Sequence, residues 1–381
     1  MREKLEQRFP IKSFLNKHIW SYQVPATLNF WYAFGLIAVL LIINQFISGL
    51  WLVMFYIPTI ERAFASVQEL MHQISAGWFI RYLHTTGASF LFICLYLHII
   101  RAFRYGSYRQ PREVVWVLGT LLWFLLMLEA FLGYVLPWGQ MSYWGAEVAT
   151  SALDGIPWIG EVIKYWLRGA QQVGQPLLQR CYALHIILVP FLIFIIIKLH
   201  IVAIRCVGSS EPIEVEQPSK KILFIPHHLV KELVPIGIFF CLFFAAIFFF
   251  PSGGGLFIEG INQMPADPLQ TPANIHPPWY LTPYFAILRS IPNLGMGLFF
   301  ATMALVMIMF LPLLDKSKQR ILKLKSKINR YLVYMFGLDF LLLGGLGWYE
   351  VNDGRIIIAR MATLFYFAFF LLMPWYSKQD R

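Results

Sequence analysis

Four histidines set deep in apolar segments carry the chemistry of this chain. His84 and His98 lie in RYLHTTGASFLFICLYLHIIR, residues 81–101, a run long and apolar enough to span a bilayer as a helix. Fourteen residues is close to four helical turns, so both imidazoles fall within about 40° of one face, about 21 Å apart along it. His185 and His200, in LHIILVPFLIFIIIKLH, are fifteen apart and lie within about 60° of one another. Polar side chains at such depth cost free energy and mark functional sites by default. A lone intramembrane histidine is more often a hydrogen-bonded helix contact or a proton relay. Two helices that each bear a pair at nearly equal spacing instead suit two flat prosthetic groups stacked across the membrane. Each group would be gripped by one histidine from each helix, which points to two bis-histidine haems.

The elements that position these residues follow from composition. The chain has 381 residues, of which 58% are hydrophobic and only 13% charged. With a mean hydropathy of +0.61, it is an integral membrane protein rather than a soluble domain. A net charge of +11 does not indicate nucleic acid, because the Lys and Arg residues cluster in short connections between apolar runs. Cys94, Cys181, Cys206 and Cys241 lie apart, with no CxxC and no CxxCH for a c-type haem, and fit packing roles. The start, MREKLEQRFPIKSF, is charged and has no signal-peptide core.

Eight runs are long enough to cross, giving an all-α membrane protein with eight transmembrane helices: 29–56, 78–103, 114–135, 181–205, 229–250, 291–314, 331–349 and 356–375. The first four are expected to form a haem-binding four-helix bundle over residues 1–208. The last four form a C-terminal region over 209–381. Basic residues mark one set of connections: Arg2, Lys4, Arg8, Lys12 and Lys17, then Arg101 to Arg112, then Arg205 to Lys231, then Lys316 to Arg330. The alternate connections carry Glu61, Glu69, Glu147, Asp154, Glu161, Glu259 and Asp267. The positive-inside rule then places both termini on the cytoplasmic or matrix side. The second and fourth spans therefore run in the same direction, so His84 is expected to face His185 near the outer surface and His98 to face His200 near the inner one.

Gly35 and Gly49 in the first span, and Gly119 and Gly133 in the third, are each fourteen apart, in register with the histidines. They suit notches for porphyrin faces, although small-residue packing between membrane helices explains each of them singly. Arg81 and Arg101 lie one helical turn from His84 and His98, where they can pair with haem propionates or snorkel to the headgroups. After the third span, GYVLPWGQMSYWGAEVATSALDGIPWIG is too apolar for a free loop and too broken to span, and is expected as short interfacial helices. The proline-rich ADPLQTPANIHPPWYLTPYFAILRSIPN is expected to fold over the outer surface with Trp279 and Tyr280 at headgroup depth.

With both histidine pairs, the four glycines, GYVLPWGQMSYWGA, the stretch from His276 to Asn293 and the late GLDFLLLGGLGWYE, the chain resembles cytochrome b of the cytochrome bc complexes over nearly its whole length. The resemblance implies a reaction: quinol is oxidised near the outer face, one electron goes to a Rieske iron-sulfur protein, and the other crosses through two b haems to reduce quinone inside. It implies an outer quinol site at Tyr134, Gly145 and the segment from Pro277 through Pro278 to Tyr280. It also implies an inner site at Ser209, Lys231 and Glu232. The implied partners are the Rieske protein and a membrane-anchored c-type cytochrome, with dimer formation a family expectation. An electron moving against the membrane voltage needs about 2.3 kcal/mol per 100 mV, which quinol oxidation must supply. This chain has no iron-sulfur cysteine set of its own.

Three features depart from the family pattern. PEWY is PPWY here, so Pro278 stands where a glutamate usually accepts a proton, and proline can do no such thing. Glu129, one turn before Gly133, is expected to supply the missing proton route, with His276, unless it is simply a protonated helix contact. The fifteen-residue gap from His185 to His200, and Arg205 beyond it, are similar to the bf complexes of oxygenic photosynthesis, but Ala33 replaces the cysteine that holds their additional haem, so no third haem is expected. Continuation through eight spans favours a respiratory bc complex in a bacterial plasma membrane, with the mitochondrial inner membrane second. Two rivals stay open at this point. A secondary transporter with a histidine relay does not explain the two registers of histidine and glycine. A b-type cytochrome anchoring another quinone-linked dehydrogenase does not explain the outer PPWY segment.

Overall fold

The computed structural model describes residues 20–212, 220–319, 321–322 and 325–380. The basic arm of Arg2, Lys4, Arg8, Lys12 and Lys17, with Arg320 and Lys323, lies outside these residues. The chain is mostly helical, because in lipid every backbone N–H and C=O must be paired within the segment. In order come α1 (Ala33–Val53), α2 (Ala63–Gln73), α3 (Gly77–Arg104), α4 (Glu113–Val135), α5 (Gln140–Ser151), α6 (Gly160–Arg168), α7 (Gln175–Val207), α8 (Leu229–Phe249), α9 (Thr282–Ser290), α10 (Leu294–Met309), α11 (Lys327–Trp348) and α12 (Asp353–Leu371). Among the described residues, seven are long and apolar enough to cross a membrane: α1, α3, α4, α7, α8, α11 and α12.

The expected span over 291–314 is shorter than its apolar run. α10 has 16 residues, so it extends only about 24 Å, less than a hydrocarbon core. Pro312 explains the break: it has no N–H to donate to the Ile308 carbonyl, which accepts from Trp116 Nε1 at 2.9 Å instead, so the helix ends at Met309 and resumes as Leu311–Leu314. The chain after the third span folds as expected, into the short helices α5 and α6. Arg168, buried on α6, ties them together through Glu147 (2.8 Å), Ser151 (2.9 Å) and Thr150 (2.8 Å). α2, between the first two spans, was not anticipated.

Packing places the functional helices in two pairs. α1 lies against α3, and α4 against α7. α7 widens into a π-helical turn at Leu184–Leu188, the turn that carries His185. Pro190 cannot donate the usual backbone hydrogen bond to the turn before it, and the wider turn accommodates that loss. At the end of the molecule where His98 and His200 lie, β1 (Gln23–Pro25) pairs antiparallel with β2 (Lys221–Leu223), Val24 opposite Ile222. The two strands bring the segment before α1 beside the one before α8.

A buried ion cluster joins the α3–α4 connection to the segment after α10. Asp315 accepts from Lys325 Nζ at 2.7 Å and from Tyr108 Oη at 2.5 Å, and lies 3.4 Å from Arg109. Burial alone would raise the Asp315 carboxyl, but Lys325 and Arg109 outweigh it and hold it below the ordinary carboxylate value. A group depressed in this way stabilises the fold fully above its ordinary value and loses that contribution as pH falls through the depressed one. Asp315→Asn leaves two buried cations uncompensated. It is expected to cost about 3–5 kcal/mol, read as a lowered unfolding midpoint in detergent that no longer depends on acid pH in this window.

Candidate functional site

Each of the four histidines meets a glycine at its own depth. A Cβ built on Gly49 would lie 3.2 Å from His84 Cε1, and one on Gly133 2.5 Å from His185 Cε1. On Gly35 it would lie 3.4 Å from His98 Cε1, and on Gly119 3.2 Å from His200 Cε1. The four glycines are therefore cradles directly beside the imidazoles, where packing alone would have allowed them to face elsewhere.

The residues divide between two cavities. The outer one, about 290 Å³, is lined by His84, His185, Gly49, Gly133, Arg81 and Glu129, and also by Tyr134, Glu259, Pro278, Trp279 and Tyr280. The inner one, about 280 Å³, is lined by His98, His200, Gly35, Gly119 and Arg101, and also by Arg112, Arg205, Ser209, Ser210, His228 and Glu232. A third, larger apolar cavity of about 1330 Å³ shares Trp279 with the outer and Ile99 and Trp123 with the inner.

In the outer cavity the hydrogen bonds fix which nitrogen each histidine offers. Ser48 Oγ donates to the Asn44 carbonyl at 2.6 Å, so toward His84 Nδ1, 3.0 Å away, it acts as acceptor. His185 Nδ1 lies 3.0 Å from both the Glu129 carbonyl and Glu129 Oε1, again acceptors. Both rings thus carry their proton on Nδ1 and present Nε2 as a lone pair, the arrangement that partner groups impose on metal-binding histidines. Their ring centres are 6.0 Å apart. Two imidazoles on one metal, with metal–nitrogen bonds of about 2 Å on each side, need a separation of about 6 Å, so the pair fits one iron. At the inner level, His98 Nδ1 is buried without a hydrogen-bond partner. Arg101 lies over the Tyr32 ring at 3.8 Å and within 3.4 Å of Ser107 Oγ, and its buried Nε is unpartnered.

The PPWY segment lies deeper than headgroup level. Trp279 Nε1 donates to Ser89 Oγ at 3.2 Å, Tyr280 stacks on Phe92 with centres 3.8 Å apart, and Tyr96 Oη donates to the Tyr280 carbonyl at 2.9 Å. These partners lie midway along α3, between His84 and His98. The aromatic rings find more buried surface and matched hydrogen bonds there than at the interface, which is why the segment folds inward. Pro278 and Tyr280 thereby reach the outer cavity.

Some expected site residues fall elsewhere. Lys231 is exposed and does not line the inner cavity, since one residue along a helix from the buried Glu232 turns the side chain by about 100°. Gly145 stands behind Tyr134, where a Cβ would make an ordinary 3.5 Å contact with its ring, and does not line the outer cavity. His276 is buried against Trp348, ring centres 4.0 Å apart, with Nδ1 3.0 Å from the Pro277 carbonyl; it is not brought to Glu129 or the cavity. Two lining groups were missed. His228 Nε2 lies 3.1 Å from Glu232 Oε1, a pairing that i,i+4 spacing on a helix start makes visible in sequence. Glu259 had no such signal, because only the folded loop brings it to Tyr134.

Known proteins resemble this chain over its whole length. The family described as Cytochrome b/b6/petB matches residues 19–208, and that described as Cytochrome b(C-terminal)/b6/petD matches residues 265–367. Cytochrome b of Allochromatium vinosum is 40% identical over 99% of this chain and 95% of its own length. Cytochrome b of Rickettsia prowazekii is 42% identical over 100% and 94%. A solved structure, "Hyperthermophilic respiratory Complex III", superposes with a TM-score of 0.89 at 31% identity, covering 100% of this chain and 99% of that one. Paired histidines and glycines at two depths, an aromatic segment lining the cavity of one pair and full-length likeness on both measures lead to one conclusion: the chain belongs to the cytochrome b family, haem b proteins that form the catalytic membrane core of quinol:cytochrome c oxidoreductases.

Proposed function

We propose that this chain holds two b haems, the outer between His84 and His185 and the inner between His98 and His200, and that it oxidises quinol beside the first and reduces quinone beside the second. The observation that carries this is the division of four histidines and four glycines into two cavities, two of each per cavity. When bound, the haems supply two one-electron redox centres in series. The chain's own residues do the rest. Gly35, Gly49, Gly119 and Gly133 leave room for the macrocycle faces. Ser48 and Glu129 hold the outer imidazoles in the ligating tautomer. Arg81 and Arg101 offer cations to propionates, joined at the inner level by Arg112 and Arg205. A pyridine haemochrome assay with a redox titration tests the reading. Two b haems per chain with separable potentials are expected, and one or none would end it.

Quinol would enter through the large apolar cavity and meet Tyr134, Pro278 and Tyr280. At the inner site Ser209 and Glu232 remain, with His228 taking the place expected of Lys231. A buried carboxylate hydrogen-bonded to an imidazole can hold and pass protons to a reduced quinone. Glu232→Gln and His228→Phe are each expected to slow quinol-driven haem reduction through the inner site roughly ten- to a hundredfold, outer site inhibited, while Lys231→Met changes it by less than about twofold.

Leu294–Leu314, taken as one kinked segment, covers about 31 Å and would be the eighth crossing. With eight crossings, the basic α3–α4 connection and the run around Lys316 put both termini on the cytoplasmic side of a bacterial plasma membrane. The break between the haem-binding unit and the C-terminal region would fall after residue 208. The partners would be a Rieske iron-sulfur protein and a membrane-anchored c-type cytochrome, in a dimeric complex.

A further inference from the structure

Pro278 removes the carboxylate that the family usually presents to quinol, so some other group beside the outer cavity must receive the proton. Two carboxylates line that cavity. Glu129 has Oε1 on His185 Nδ1 at 3.0 Å, which commits it to orienting an imidazole. Glu259 has no such duty. It is only 6% exposed, lines the cavity with Tyr134, Pro278 and Tyr280, and its Oε2 is buried without a hydrogen-bond partner. The Tyr134 hydroxyl faces this carboxyl and interacts with it, but no hydrogen bond of ordinary geometry joins the two, and Tyr134 Oη is buried without a partner as well. Unmet polar groups buried in an otherwise apolar wall need a partner that the protein does not supply.

The placement is built in rather than incidental. The loop that carries Glu259 is clamped to the corner between α4 and α5, the corner that bears Tyr134. Asn262 Oδ1 accepts from Ser142 N at 2.9 Å and lies 3.1 Å from Ser142 Oγ, whose hydroxyl donates to the Tyr134 carbonyl at 2.6 Å. Gln140 N donates to the Met264 carbonyl at 3.0 Å. Gly139 is required at this junction, since a Cβ there would run into Asn262. Immediately after Glu259, Gly260 and Ile261 are exposed, so the carboxylate sits one residue beneath the surface.

We infer that Glu259 is the proton acceptor for quinol bound in the outer cavity, standing in for the carboxylate that Pro278 displaces. The inference rests on the proposed reading of that cavity as the quinol site. In the step, the quinol O–H bond breaks, its electron pair stays on the quinol oxygen, and the proton joins Glu259. The carboxyl then turns toward Gly260 and releases the proton to outside water. The quinol's electrons leave by the routes of the established reaction, so no further oxidant is needed. Burial pushes the Glu259 carboxyl up to about 7, against the pull of its own backbone N–H and of Tyr134. A base so placed takes and releases a proton readily near neutral pH. The titratable groups facing it are Tyr134 and Tyr280, and the same cavity holds Glu129, His84, His185 and Arg81.

The test uses the purified complex, with haem content checked optically in every variant. Glu259→Gln is expected to slow steady-state quinol:cytochrome c turnover on the order of a hundredfold at neutral pH, with quinol-driven haem reduction through the inner site unchanged. Glu259→Asp should keep most of the rate. Glu259→Gln/Pro278→Glu should recover about a tenth of it or more, because a carboxylate is restored at the other position. An azido-quinone, photolysed in the wild-type complex, reports separately on the cavity and should label Pro278 to Tyr280. Wild-type turnover by Glu259→Gln together with that label overturns the inference and leaves the quinol site standing. Absence of the label overturns the site reading itself. A slow single variant that Pro278→Glu fails to rescue assigns Glu259 to holding the loop, and the acceptor role falls.

Discussion

His185→Asn is expected to leave one b haem per chain and no measurable quinol:cytochrome c turnover. Asparagine keeps a polar side chain of smaller reach in the π-helical turn, so α7 should still insert and pack. It has no imidazole Nε2, however, and the 6.0 Å spacing that lets two rings share one metal is lost. Since the inner pair lies in a separate cavity with its own glycines, the inner haem should remain, with its own band in a redox titration. Loss of both haems would mean that the two sites are not independent. Retention of both would exclude His185 as a ligand.

Gly133→Val should have a comparable effect without touching a ligand. The added Cβ alone would lie 2.5 Å from His185 Cε1 and 3.0 Å from Nε2, closer than real contacts allow, and the branch carbons add more bulk. α4 and α7 pack directly, so the backbone has little freedom to withdraw. The expected outcome is one haem per chain and turnover reduced by more than about a hundredfold, consistent with loss of alignment at a cofactor site. Gly145→Ala is the matched control: its Cβ meets the Tyr134 ring at 3.5 Å, an ordinary contact, and haem content should stay at two. If Gly133→Val retained both haems at wild-type potentials, the glycines would be packing residues after all.

Most of the arrangement of histidines and glycines was legible in the sequence because it is written in helical spacing. Fourteen residues in α3 and fifteen in α7 set two depths on fixed faces, and the glycines in α1 and α4 repeat that interval. A rigid helix converts such spacing into position with few alternatives. The placement of the PPWY segment was not legible in the same way. Trp279 and Tyr280 looked like interfacial anchors, and only the partners at Ser89, Phe92 and Tyr96 show that they fold inward.

By itself the sequence determined a helical membrane protein with histidines and glycines registered at two levels, and hence its family, since those features depend on intervals within single helices. Tertiary structure alone decided which polar groups share a cavity. It turned Lys231 outward, set His228 on Glu232, took His276 away to Trp348 and brought Glu259 to Tyr134. The physical reason is that loop residues far apart in the chain meet only through packing and hydrogen bonds such as those of Asn262 and Ser142, and no periodicity encodes such a meeting.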